Sequence, residues 1–252
     1  MSKLYANISV GHENDPGILE ARIIAAAQCN ADAVILSKCT PSLVVAENKK
    51  YISINSKWGS LPYLEVAKRS EVSPPTVEHV VQLCNRIGIP LIWSVTDSTA
   101  AEFVKEYANP EQVKVHNDSP NLLEISKFCR RSFDRVIHHY NMCDYLNLWY
   151  TSKERSKYNI YYTTENFPPS IEELKYSTMD SLRARFMNIG VGYESREASM
   201  FPNITLYYRG LSFIEKYLGD EDSNNSCVAT PQQFFEYFKN LELLEIANGQ
   251  EQ

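Results

Sequence analysis

Short apolar runs recur along the chain, and each opens at its C-terminal end onto polar side chains. They are Leu4–Val10 (LYANISV), Ala31–Lys38 (ADAVILSK), Ile89–Asp97 (IPLIWSVTD), Gln112–Asp118 (QVKVHND), Phe133–Met142 (FDRVIHHYNM), Asn159–Thr163 (NIYYT), Asn188–Glu197 (NIGVGYESRE) and Ser212–Gly219 (SFIEKYLG). Their content of β-branched and aromatic residues predicts buried strands. The intervening segments read as helices. One starts near Pro16 (ILEARIIAAAQ), and Ser73-Pro74-Pro75 opens another that ends at Gly88. Others span Ser98–Ala108, end at Gly210, and start at Thr230-Pro231, where Phe234, Phe238 and Leu241, with Phe235, are spaced to pack inward.

Eight such runs alternating with helices predict an α/β fold, a single (β/α)8 TIM barrel over residues 1–252. A doubly wound open sheet is the alternative. From Cys39 to Ser73 the pattern is irregular, with a turn at Trp58–Ser60, which predicts a lid or partner surface after the second strand.

A barrel collects its chemistry at the C-terminal strand ends. The residues predicted there are His12, Glu13, Lys38, Asp97, Lys114, His116, Asn117, His139, Glu165, Asn166, Glu194, Arg196, Glu215 and Tyr217. His138 and His139 are adjacent, so one faces in and the other out. His79 lies inside a helix and reads as structural. A metal reading would gather His12, His116 and His139 with Glu13 or Glu194, but no HxxxH-type spacing supports it, and no metal or cofactor is expected.

Charge narrows the partners. A net charge of −6 argues against a broad nucleic-acid surface, and no apolar run reaches membrane-spanning length. Six scattered cysteines without a CxxC pair, and no leader-like N-terminus, fit reduced thiols in a cytoplasmic protein. Few glycines and no phosphate loop exclude a dinucleotide fingerprint.

VGYESRE, the Gly210 turn and FIEKYL together resemble the N-terminal barrel of the sialic acid synthase family, which carries VGYSDHT, a helix ending LGA, and IIEKHF. ANISVGHEND, ADAVILSK, QVKVHND and TENFPP are similar to that family's AEIGVNHNGD, ADAVKFQ, YKIASGD and TSNYPTP. The resemblance keeps Lys114 and Asn166 but puts Asn7 at a catalytic glutamate, Ile35 at a ligand-gripping lysine, and Arg196 and Tyr217 at two metal-binding histidines. Lys38 is a candidate substitute for the lost lysine. His139 and Asn141 replace an anion-binding serine and a glycine, and Ser223-Asn224-Asn225 stands where the family has GPDH. The resemblance covers the barrel alone, without the family's antifreeze-like C-terminal domain.

The resemblance therefore implies a divergent barrel acting on or binding an anionic sugar, sugar phosphate or sugar acid in surface-carbohydrate biosynthesis, not by phosphoenolpyruvate condensation. Any activity is expected to be of transferase or lyase type, with Glu13 or His139 as acid/base. His12, Lys114, Asn117, Asn166, Glu194, Arg196, Glu215 and Tyr217 are expected to bind substrate. A non-catalytic sugar-acid binder or regulator of a partner enzyme, and glycosyl transfer from a sialic-acid-like donor, remain as alternatives. A homodimer or a partner protein of the same pathway is a further expectation.

Overall fold

The computed structural model describes residues 2–199, 201–219 and 227–247. Strand β1 (Lys3–Asn7), helix α1 (Pro16–Gln28) and strand β2 (Ala33–Lys38) come first, followed by α2 (Pro41–Val44), a hairpin of β3 (Ser53–Ser56) and β4 (Gly59–Pro62), and α3 (Tyr63–Ser70). Alternation then resumes with α4 (Pro74–Ile87), β5 (Leu91–Val95), α5 (Ser98–Tyr107), β6 (Gln112–Val115), α6 (Leu122–Ser132) and β7 (Arg135–His139). The rest is α7 (Cys143–Trp149), β8 (Tyr158–Thr163), α8 (Tyr176–Arg185), β9 (Gly190–Ser195), α9 (Phe201–Tyr208), β10 (Phe213–Tyr217) and α10 (Pro231–Ala247). All of these strands except the β3–β4 hairpin pair in parallel, and the order β1-β10-β9-β8-β7-β6-β5-β2 closes on itself. The predicted barrel is the fold, and the open sheet is not.

Closure follows from period-2 patterning. Tyr5, Ala33, Ile35, Ile92, Ile137, Tyr161 and Phe213 fill the interior as one cluster, while their sequence neighbours pack outward under the helices. Tyr5 stacks on Phe213 with ring centroids 5.1 Å apart. Gly192 lies in register with Phe213, and a Cβ there would come within 2.2 Å of the phenyl ring, so this strand position needs a residue without a side chain.

The strands end sooner than their apolar runs suggest. The Phe133–Met142 run is strand only to His139, whose Nδ1 accepts the Asn141 amide and starts a 3-10 turn at Tyr140–Met142. His116, Asn117, Arg196 and Glu197 likewise lie beyond their strands. Ser73 bonds the Thr76 hydroxyl at 2.9 Å without capping a backbone amide. In α10, Phe234 and Leu241 are buried and Phe238 packs on the core, but Phe235 is exposed, because it lies about 100° round the helix from Phe234, off the face that meets the barrel. His79 bonds Glu20 at 3.0 Å and links α4 to α1, as its structural reading requires.

The 39–73 excursion folds as α2, the hairpin and α3, and is tied to the barrel by side-chain contacts, among them two to the loop after β1. Lys57 on the hairpin turn lies 3.1 Å from Glu13, and the Asn14 side chain accepts from the Ser73 amide at 3.1 Å and the Thr76 hydroxyl at 2.8 Å. No helix of the described residues is long and apolar enough to cross a membrane.

Candidate functional site

Inward-facing positions near the C-terminal ends of β6, β9 and β10 put three charged residues where an all-apolar barrel would have aliphatic side chains. Lys114 Nζ lies 2.5 Å from Glu194 Oε2 and 2.7 Å from Glu215 Oε2, and all three residues are fully buried. The opposite oxygens are also used. Glu194 Oε1 accepts from Arg196 Nε at 2.9 Å and from the Tyr217 hydroxyl at 3.0 Å, and Glu215 Oε1 accepts from the Asn7 amide at 2.7 Å. Arg196 completes its fork on the Thr164 carbonyl at 3.1 Å and Asn117 Oδ1 at 2.9 Å. Lys114 Nζ also sits 4.2 Å above the Tyr161 ring, whose hydroxyl donates to the Val115 carbonyl.

The network sets the acid strengths. Burial works to raise the Glu194 carboxyl, but Lys114 and Arg196 outweigh it and hold it well below the usual carboxylate range. Burial and the neighbouring Glu194 charge push Glu215 up, partly offset by Lys114. Burial opposes charge on Lys114, yet its two carboxylates raise it, so the ammonium is retained. Burial and the two glutamates push the Tyr217 phenol far up, so the hydroxyl keeps its proton and donates a hydrogen bond to Glu194.

At the same end of the barrel, three histidines share one local device, and of these His116 and His139 feel the charges of Glu194, Lys114 and Arg196. His12, His116 and His139 each accept, on Nδ1, the backbone N–H two residues on, from Asn14 at 3.0 Å, Asp118 at 3.2 Å and Asn141 at 3.4 Å. An Nδ1 used as acceptor puts the proton of a neutral ring on Nε2. Burial, first, lowers His139 to about 4, with Lys114 and Arg196 adding to it and Glu194 opposing. It lowers His12 to about 4 as well, helped by Arg22 and Lys57, and it lowers His116. Near neutral pH all three rings are therefore uncharged and present Nε2–H as a donor. Positive φ at Gly11, Glu13 and Asn14 (68°, 48° and 57°) turns the His12 loop back on itself. His138 faces outward into a cage of Trp149, Tyr150 and Tyr158 and is fully buried.

The remaining predicted residues lie around the same end but not in the network. Lys38 is paired with Glu71 at 2.9 Å and Asp97 caps α5 while holding Thr40, so both have structural partners. Glu13 is on the rim against Lys57, and Glu165 is exposed. Asn166 is exposed and bonds Glu173 at 2.6 Å. Its neighbour Phe167 has its ring 5.5 Å from that of Tyr217 and 6.0 Å from the Arg196 guanidinium, and so covers the network from the mouth side. Ser223-Asn224-Asn225 lies outside the described residues. Tyr161, Thr164 and Ser94, whose buried hydroxyl has no partner and whose Cα pairs with Lys114, were not singled out as site residues by their sequence. The alternation Asn159, Tyr161, Thr163 was the available signal for Tyr161.

A divalent metal does not suit this arrangement. The guanidinium of Arg196 has no lone pair to offer, Tyr217 is a protonated donor, and the Glu194 carboxylate is already neutralised by two cations. Among the described residues no three His, Cys, Asp or Glu side chains gather as a metal-binding group.

A family model, the NeuB family, matches residues 22–252. The chain belongs to that family. No curated protein matches it in sequence. Among solved structures, the N-acetylneuraminic acid (sialic acid) synthetase of Leptospira borgpetersenii serovar Hardjo-bovis, in complex with citrate, superposes with a TM-score of 0.81 at 15% identity, covering 100% of this chain and 86% of that one. The spore coat polysaccharide biosynthesis protein SpsE of Bacillus subtilis gives 0.76 at 16% identity, over 100% and 70% of the two chains. A truncated 3-deoxy-D-arabino-heptulosonate 7-phosphate synthase of Thermotoga maritima gives 0.66 at 11% identity, over 98% and 88%. At these identities the superpositions speak for the barrel. The family match adds that this NeuB-family chain is a barrel related to sugar-acid biosynthesis.

Proposed function

We propose that this NeuB-family barrel binds a sugar acid of the nonulosonic type at its C-terminal mouth without a metal, in the biosynthesis of surface carbohydrate. The observation that carries the reading is the state of Arg196. Its Nε is committed to Glu194, but its two terminal nitrogens meet only neutral oxygens, those of Thr164 and Asn117. A ligand carboxylate that takes the place of the half-buried Asn117 amide exchanges a neutral acceptor for a charged one, and charge-assisted bonds of this kind are worth about 1.5–3 kcal/mol each.

His116 and His139, both close enough to Glu194 and Arg196 to feel their charge, supply Nε2–H donors to the same ligand. With the proton on Nε2 and Nδ1 taken by a backbone amide, His139 acts first as a hydrogen-bond donor or acid, not as a base. Lys114, expected from the sequence to hold the anion itself, is enclosed by two carboxylates and serves this reading by fixing Glu194 and, through it, Arg196.

Calorimetric titration with N-acetylneuraminate and with the neutral sugar N-acetylmannosamine tests the reading. The acid should bind at least tenfold tighter than the neutral sugar, Arg196→Ala should abolish that preference, and Arg196→Lys should keep part of it. Equal binding of both sugars, or an unchanged preference in Arg196→Ala, would refute it.

A non-catalytic role is favoured by one further observation: at the position where the resemblance has a catalytic glutamate, the Asn7 amide is bonded to Glu215 and cannot act as a base. Product analysis with phosphoenolpyruvate, N-acetylmannosamine and manganese should give no keto acid. Formation of one would restore the ordinary synthase reading.

A further inference from the structure

The environment of Glu194 is that of a bound ligand rather than of a surface ion pair. Three donors carried by three strand ends converge on its two oxygens: Lys114 on one, Arg196 and Tyr217 on the other. Two of them are cations, and the carboxylate they hold is fully buried. A pair of cations with an added hydroxyl, preorganised in a closed site, is the donor set that recognises a small carboxylic acid.

We infer that Glu194 fills, from within the chain, a carboxylate-binding site built by Lys114, Arg196 and Tyr217, and so keeps small acids out of the barrel interior. Glu194 is then a specificity-determining residue. It confines any acid ligand to the outer edge of Arg196 and leaves the inner site closed. Glu215 completes the argument. Because it neutralises Lys114 separately, at 2.7 Å, removal of the Glu194 side chain beyond Cβ leaves a space whose surplus charge is that of Arg196 alone, matched to a monoanion. The inference does not depend on the sugar-acid reading, since its test uses a simple acid and a variant.

The experiment is chemical replacement of the deleted group. Glu194→Ala removes a CH2–COO fragment, the atoms of acetate. In thermal unfolding at constant ionic strength, acetate exchanged for chloride should raise the Tm of Glu194→Ala in a saturable way, by about 2–4 °C or more. The parent and Glu194→Gln, in which the site remains filled, should not respond. Should Glu194→Ala not accumulate as folded protein, refolding yield is read with acetate against chloride, alongside the smaller loss in Glu194→Ser. A higher yield with acetate is expected. Equal response to acetate and chloride in the variants, or a parent that responds as strongly as Glu194→Ala, overturns the inference. Either result leaves the N-acetylneuraminate titration of the parent to stand or fall by itself.

Discussion

Arg196 and Tyr217, side chains from the ends of neighbouring strands, aim at a single atom. Each donates to Oε1 of Glu194, at 2.9 and 3.0 Å. In the resemblance these are the two metal-binding histidines. Two lone-pair ligands have been exchanged for two donors, and a carboxylate stands between them. The electrostatic sense of the site is thereby reversed: it attracts negative charge where a metal cradle attracts positive.

Manganese should therefore be ignored by this protein. After incubation with the ion and desalting, elemental analysis is expected to return far less than one ion per chain, and chelator should leave Tm unchanged. The double substitution Arg196→His and Tyr217→His, which sets two imidazoles beside the Glu194 carboxylate, should gain a manganese-dependent rise of about 2–4 °C or more. Stoichiometric manganese in the parent would contradict the reading of the site.

Removal of the buried ammonium should be costly. Lys114→Met leaves Glu215 in the barrel interior without a cation and Glu194 with Arg196 as its only one, and breaking a buried pair in this way costs about 3–5 kcal/mol. Equilibrium urea denaturation measures it. Adding Glu215→Leu should recover part of the loss, because the carboxylate left without a cation is itself removed while Glu194 keeps Arg196. A loss below about 1 kcal/mol for the single variant would mean the network relaxes freely.

Acid should destabilise the fold through its buried neutral histidines. His12 and His139 are lowered to about 4 and His138 to about 3, in each case first by burial, so the unfolded chain binds more protons than the native one below about pH 6.5. The stability these neutral rings contribute is complete above pH 6.5 and is lost as pH falls towards 4 (towards 3 for His138), about 3 kcal/mol for each of His12 and His139. Urea midpoints taken across this window should fall steadily, and less steeply in His139→Gln. A flat profile from pH 7 to 4.5 would rule out neutral buried histidines.

Gly192→Ala tests the packing beneath the site. Its methyl would meet the Phe213 ring at 2.2 Å, and overpacking of this kind costs about 1–3 kcal/mol. Phe213→Leu, which withdraws the ring, should make the second substitution cheaper in the double variant than in the parent. Strict additivity would show that the two residues do not share the space.

Much of the architecture was local information. Period-2 runs, the Pro and Gly punctuation of α4 and the spacing of Phe234 and Leu241 are consequences of backbone geometry, which each segment carries by itself, and they led to the barrel. The gathering of Lys114, Glu194, Arg196, Glu215 and Tyr217 at one end was legible too, because in a parallel barrel every C-terminal strand end faces the same way. What each side chain does there was not. Lys114 and Arg196 read as free cations in the sequence. Only closure of β6, β9 and β10 around a common axis brings the ammonium and the guanidinium onto Glu194, and a charge inside a low-dielectric interior must take whatever opposite charge the fold sets beside it. Likewise the tautomers of His116 and His139 depend on a turn two residues beyond the strand, decided where the strand stops. The sequence by itself determined which groups reach the mouth; the tertiary structure decided which remain available there, because pairing depends on distances across the barrel that no local pattern encodes.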